Sequence, residues 1–268
     1  MNPQFGIAFI KVKTFLSNVK KALKPNIRKK RKDLKSNTEK YRKEIVFQLF
    51  ETGYRDIKDY SLSTWKFYGI DHVRLTFKAK KDNFTYIIKV TKGFEEKVNN
   101  SIKLQNKFND VFSFIPKGFE IHLDGYVGYA TEYIPSYPFL WSKYFIDKKI
   151  VDSYLTQINY ILDELYKYRI VHCDLEEVNV LVSKKDKKLY IIDWDTCCSD
   201  IIGLDCEHFP GYTIKRKTND NKYIYDDAYS FCTLLKRLNI DDLEEKEGFI
   251  KIKKRSVEIF TLQTNKEE

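Results

Sequence analysis

The stretch HCDLEEVNVLV, His172 to Val182, sets Asp174 and Asn179 between apolar runs that read as buried strand ends. Shortly after it, IIDWD brings two more acids, Asp193 and Asp195. NVLVS and KLYIID, joined by KKDK, have the alternation of a short hairpin, with Asn179 entering it and Asp193 leaving it. Strand pairing then draws those two side chains together. Hard oxygen ligands placed this way suit a magnesium ion. Asp174, on the connecting loop, stands where it can sit beside that ion and accept a proton from a hydroxyl nucleophile.

Taken together, HCDLEEVNVLV and IIDWD resemble the catalytic loop and metal-binding segment of the protein-kinase-like superfamily, whose usual form is H-x-D-x-x-x-x-N followed by D-F-G. The resemblance implies that Asp174 is the catalytic base, that Asn179 and Asp193 bind magnesium, and that His172 supports the loop. Further parts follow in the order such a protein requires. Lys89, in YIIKV, matches the strand lysine that holds nucleotide phosphates, and TEYIP resembles the hinge, where backbone groups near Glu132 and Ile134 would bond adenine. Asp227, in DDAYSFC, matches the helix aspartate that steadies the catalytic loop, and FPGY, Phe209 to Tyr212, resembles the end of an activation segment. The likeness runs from about Trp65 to Leu238. It implies ATP and magnesium as cofactors and phosphoryl transfer to a hydroxyl, a reaction that demands positioned charge more than covalent chemistry.

The chain departs from the protein-kinase pattern at several points. FYGIDHVRL offers only Gly69 where three glycines usually cover the phosphates. The helix glutamate that pairs with Lys89 is Glu95 in this reading, with Val98 and Ile102 following on one face, and Glu96 as the alternative. Cys173 replaces the arginine that a phosphorylated activation loop neutralises, which argues against that form of control. Glu176 stands where serine/threonine kinases carry a lysine, and Asp195 replaces the glycine of D-F-G, as a further metal ligand or a solvated acid. The last two features resemble aminoglycoside, choline and lipopolysaccharide sugar kinases. After Asp227 only about forty residues remain, short for a peptide-binding subdomain, yet FPGY and DDAYSFC resemble protein kinases.

The elements that must position these residues show in the periodicity. In HVRLTFKAK, Val73, Leu75, Phe77 and Ala79 alternate with polar residues as a half-buried strand does. KKDN turns the chain into FTYIIKVT, where Phe84, Tyr86, Ile88 and Val90 face one way and Lys89 the other. A helix over about Phe94 to Asn109, the strand FEIHL, an Asp124-Gly125 turn and YVGYATEYI complete a small antiparallel sheet with one helix. The second half is helical: Val151, Leu155, Ile158, Ile161, Leu162 and Leu165 form one stripe, and Ala228, Phe231, Cys232, Leu235 and Leu238 another. The final stretch, from EEKEGFIKIKKR, is too charged to assign.

Phe5, Phe9, Val12, Leu16, Val19 and Leu23 recur at helical steps among lysines before Pro25, a basic amphipathic helix suited to an anionic membrane surface or to packing on the rest of the protein. The net charge of +10 is weighted towards this end, which favours an anionic partner; nucleic acid fits less well than lipid. Five cysteines without disulfide spacing fit a reducing compartment, and Cys197, Cys198, Cys206 and His208 lack the paired C-x-x-C that zinc favours. With no membrane-spanning apolar run and no signal-like start, a cytoplasmic place is expected, peripheral on the inner membrane face.

The expectation is therefore an α+β, two-lobed protein-kinase-like fold: a basic extension over 1–45, a small antiparallel-sheet lobe over 46–134, and a mainly helical, truncated lobe over 135–268. Its partners would be ATP and a hydroxyl-bearing acceptor, a sugar or lipid-linked glycan, with a protein serine/threonine kinase and a non-catalytic pseudokinase or adaptor as the alternatives.

Overall fold

The computed structural model describes residues 38–67, 70–92, 95–144, 148–197, 216–217, 223–224 and 226–264. The basic segment over 1–37, Gly69 and FPGY lie outside the described residues.

The first lobe is a five-stranded antiparallel sheet in the order β1-β2-β3-β5-β4. Its strands are β1 (Arg55–Phe67), β2 (Ile70–Lys81), β3 (Phe84–Lys92), β4 (Gly118–Leu123) and β5 (Tyr126–Glu132), with α2 (Glu95–Phe108) between β3 and β4. β1 corrects the four-stranded expectation: RDIKDYSLSTWKF is a strand despite its polar run, because it pairs along β2 from Arg55↔Lys80 to Phe67↔Ile70. Its register shifts twice near its start, where Asp56 takes a left-handed backbone conformation. Polar composition hid an edge strand whose ladder bonds need no apolar face. The β2–β3 turn is Asp82-Asn83, both at positive φ, as a two-residue hairpin requires.

A helix over residues 38–51, α1, precedes the sheet and belongs to it. Ile45 and Leu49 are buried with Leu75, Phe77, Ile88, Val90 and Ala130 in one core. Arg42 forks onto both carboxylate oxygens of Asp59 in β1 at 2.9 and 2.8 Å. Gln48 grips the β4–β5 turn by donating to the Asp124 carbonyl and accepting the Asp124 N–H. The boundary drawn at 45/46 thus falls inside a continuous helix.

The second lobe is built on α3 (Lys148–Lys167), whose apolar stripe from Val151 to Leu165 is buried against Trp194, Phe231 and Phe249. Before it come β6 (Ser136–Pro138) and a 3₁₀ turn, Phe139–Tyr144. β6 pairs with β7 (Val180–Ser183), and β7 with β8 (Leu189–Ile191), so the expected hairpin carries a third strand. Arg216–Lys217 and Tyr223–Ile224 form a short antiparallel pair, β9 and β10. α4 (Asp227–Arg237) is capped by Asp226, whose Oδ1 accepts the N–H groups of Ala228 and Tyr229. The charged final stretch is a helix, α5 (Glu247–Thr264), with Phe249 and Ile252 buried and its lysines outside. The molecule is α+β and two-lobed, a small sheet lobe followed by a mainly helical one.

Candidate active site between the lobes

The hairpin β7–β8 and the loop before it bring the motif residues into one place. Asn179 directs its side-chain amide at Asp174, donating to the backbone carbonyl at 2.8 Å and to Oδ2 at 3.0 Å. Both amide protons are spent there, which leaves Asn179 Oδ1 as an acceptor. At the other end of the hairpin the Ile192 N–H donates to the Asn179 carbonyl at 3.0 Å, so Asp193 follows directly beside it.

His172 holds the loop from within. It is buried, with its ring edge-on to Trp194 at a centroid distance of 4.7 Å. Nε2 lies 3.0 Å from the Ile192 carbonyl, which can only accept, and Nδ1 accepts the Asp174 N–H at 3.3 Å. That pattern fits the neutral ring, and burial pushes the His172 pKa down to about 4. From below, Asp227 Oδ2 accepts the His172 N–H at 2.8 Å. Burial raises the Asp227 pKa to about 7, although the His172 and Cys173 N–H groups pull the other way. Cys173 between them sits at positive φ, a conformation sparsely used by residues other than glycine.

Charge is concentrated where the lobes meet. Lys89 Nζ on β3 lies 2.9 Å from Asp193 Oδ1. Arg74 on β2 reaches the same oxygen at 3.8 Å and forms a close ion pair with Asp195. Burial alone would raise the Asp193 pKa, but Lys89 and Arg74 outweigh it and hold the carboxyl well below the usual range. Asp195 is shifted upward, by burial first and by its neighbour Asp193, against the pull of Lys89 and Arg74. Asp193 itself adopts positive φ, so the backbone turns sharply at this acid.

A cleft of about 380 Å³ opens beside these charges, within the range of small-molecule sites. Ile87 and Lys89 of β3, Thr131 to Ile134 running from the end of β5 into the segment connecting the lobes, and Leu181, Ile192 and Asp193 of the second lobe all contribute to its wall. The connecting segment is pinned on both sides, the Glu132 N–H to the Lys117 carbonyl at 2.7 Å and the Tyr133 N–H to the Thr85 carbonyl at 2.8 Å.

Residues 141–199 match the RIO domain. This is an atypical protein-kinase-like family, and the matched fifth of the chain contains Asp174, Asn179, Asp193 and Asp195 but neither Lys89 nor Arg74. No curated protein matches the chain. The RIO match places the chain's likeness within the kinase-like superfamily and lends nothing to the narrower resemblance to sugar or aminoglycoside kinases. The RIO-like segment starts in the turn before α3 and ends just after Trp194–Thr196, so it contains Val178, Leu181 and Ile192 to Asp195 of the cleft wall but not Ser136 to Pro138 of β6.

Of the residues singled out in the sequence, Lys89, Asp193 and Asp195 gather at one end of the cleft and Glu132 and Ile134 line its wall, while Asp174 and Asn179 are bonded to each other on the adjoining loop, with the Asp174 charge felt by Arg74. Gly69 lies outside the described residues, as do the side chains of Glu95 and Glu96 at the start of α2. Cys198, Cys206 and His208 also fall outside them, and among the described residues no three His, Cys, Asp or Glu side chains converge as a metal cluster. Sequence reasoning overlooked Arg74. The signal was present: pairing Thr76 with Lys89 and Arg74 with Thr91 puts Arg74 on the face that carries Lys89.

Proposed function

We propose that the protein is an ATP- and magnesium-dependent phosphotransferase acting on a hydroxyl acceptor. The observation that carries this reading is the pairing of Lys89 with Asp193 at 2.9 Å in the cleft, with Asn179 bonded to Asp174 at 3.0 Å on the loop whose Asn179 carbonyl accepts the N–H of Ile192, the residue before Asp193. Asn179 Oδ1 and the low-pKa Asp193 carboxylate are hard oxygen donors, so the residues present fit magnesium, which commonly takes one or two carboxylates and completes its shell with phosphates and water. Bound there, the metal would neutralise charge on the phosphates. Lys89 supplies a second positive group for them, while the backbone from Glu132 to Ile134 receives the adenine. Asp174, oriented by Asn179, accepts the acceptor's hydroxyl proton.

For the acceptor we propose a sugar or lipid-linked glycan, supported by Glu176 in place of the usual lysine. The RIO match favours a second reading, phosphorylation of a protein or hydrolysis of ATP. We place the protein in the cytoplasm at the inner membrane face, on the strength of the basic segment over 1–37. Among the described residues no helix is long and apolar enough to cross a membrane.

Labelled ATP with magnesium, offered with sugars, extracted glycolipids, generic proteins and water as acceptors, tests the reading. Transfer to one class identifies the acceptor, and Asp174→Asn is expected to lower it by about 10²- to 10⁴-fold while still binding nucleotide. Equal turnover by wild type and Asp174→Asn would remove Asp174 from the chemistry. A full-length chain that binds anionic vesicles, against a chain lacking 1–37 that does not, tests the membrane assignment.

A further inference from the structure

Arg74 has no counterpart in the motifs that led to the cleft. It projects from β2 on the same face as Lys89, with Thr76 opposite Lys89 and Arg74 opposite Thr91. Its guanidinium pairs with Asp195 and lies 3.8 Å from Asp193 Oδ1, the oxygen that Lys89 meets at 2.9 Å. Two carboxylates therefore face two cations in a partly buried site, and Asp174 adds a further negative charge that Arg74 feels.

Nucleotide and metal change that arrangement. A divalent cation held at Asp193 would compete with the two cations now at its Oδ1, and the accompanying phosphates would bring several acceptor oxygens into the same space. A buried guanidinium deprived of its carboxylate is costly unless another anion replaces it. Phosphate is such an anion, and the planar fork of arginine matches two of its oxygens at once. The sequence ahead of β2 points the same way. FYGIDHVRL carries one glycine, Gly69, where a glycine-rich phosphate loop carries three.

Building on the phosphotransferase reading, we propose that Arg74 is a phosphate-binding residue, held in the cleft by Asp195 and exchanging that carboxylate for a nucleotide phosphate. A side chain from β2 thereby does part of the work of a glycine-rich loop. Asp195 acts as its docking partner and keeps the guanidinium aimed at the cleft.

Calorimetric titration of the full chain with adenosine and with ATP, both in magnesium, separates the possibilities. Arg74→Gln is expected to weaken ATP by about 10- to 100-fold and to leave adenosine within about twofold, with Arg74→Lys falling between wild type and Arg74→Gln for ATP. Preserved adenosine binding also reports that the variant has folded. ATP affinity unchanged in a folded Arg74→Gln overturns the proposal, as does an equal loss for both ligands, which is the mark of a structural role. Should Arg74→Gln not fold, Arg74→Lys carries the same test: a selective loss for ATP supports the proposal and no loss overturns it. Wild type that binds neither ligand overturns the nucleotide reading and this inference together, whereas wild type that binds both with no Arg74 effect overturns only the inference.

Discussion

Asp227 and His172 sit in contact below the loop that carries Asp174 and titrate in opposing senses. Asp227 is raised from 3.8 to about 7, so its contribution to stability is present below the lower value and is lost as pH rises through about 7. His172 is lowered from 6.5 to about 4, so its contribution is present above 6.5 and is lost as pH falls through about 4. The two slopes offset each other over the shared window. Asp227→Asn should therefore leave the histidine slope exposed, and stability should climb more steeply with pH between about 4 and 6.5 than in wild type. Urea midpoints across that range measure it, and parallel profiles for the two proteins would contradict the assignment. Asp227→Ala removes the acceptor for the His172 N–H altogether, and a loss of about 1–3 kcal/mol is expected from a buried donor left without its partner. Trp194 supports the same loop from another side: it is buried, donates from Nε1 to the Ile191 carbonyl at 3.2 Å and packs against the His172 ring.

Among the elements, α5 shows how the second lobe is closed after α4. Gly248 in its first turn lies against α3, and a Cβ added there would meet Leu155 Cβ at 2.9 Å. The approach is locked by Asn159, whose side-chain amide donates to the Gly248 carbonyl at 2.9 Å and to the Leu155 carbonyl at 2.8 Å. Gly248→Ala should push the helices apart and cost about 1–3 kcal/mol, the usual penalty of overpacking, even though alanine favours a helix. A melting temperature equal to wild type would show that α5 can shift freely. At the N-terminus of α4 the prediction concerns a cap. Asp226 satisfies two N–H groups and also accepts from Ser256 of α5 at 2.7 Å, so Asp226→Ala should cost about 1–2 kcal/mol or more in thermal or urea unfolding.

The whole molecule is two lobes meeting at a charged cleft, and ligand binding there should show as coupled stability. If magnesium and ATP bind the folded chain alone, a concentration about a hundred times Kd adds about 2.7 kcal/mol, a melting shift on the order of 5–10 °C. Lys89→Met should abolish most of that shift because it removes the cation nearest Asp193. A shift of the same size in both proteins would place the nucleotide elsewhere. Charge acts at this scale too. The excess of +10 is carried by a chain whose described lobes have many of their surface lysines paired, for example Lys80 with Asp56, Lys236 with Glu244 and Lys246 with Asp152. Such exposed pairs add little stability, and their effect is chiefly on solubility and on the choice of partner.

The sequence by itself determined the elements whose order or period is local. The alternation in HVRLTFKAK and FTYIIKVT specified β2 and β3 with Lys89 opposite the core face. The helical stripes specified α3 and α4, and the spacing of Asp174, Asn179 and Asp193 pointed to one kind of chemistry. Tertiary structure decided what depended on pairing and burial. β1 is a strand through its partner β2 rather than through its own composition, and α5 is a helix because α3 and α4 receive its narrow apolar side. α1 joins the sheet through Ile45, Leu49 and Gln48, whose contacts lie far along the chain. Most of all, the meeting of Arg74 with Asp195 needed the two lobes in register, since an ion pair between residues so distant in sequence leaves no mark on either segment alone.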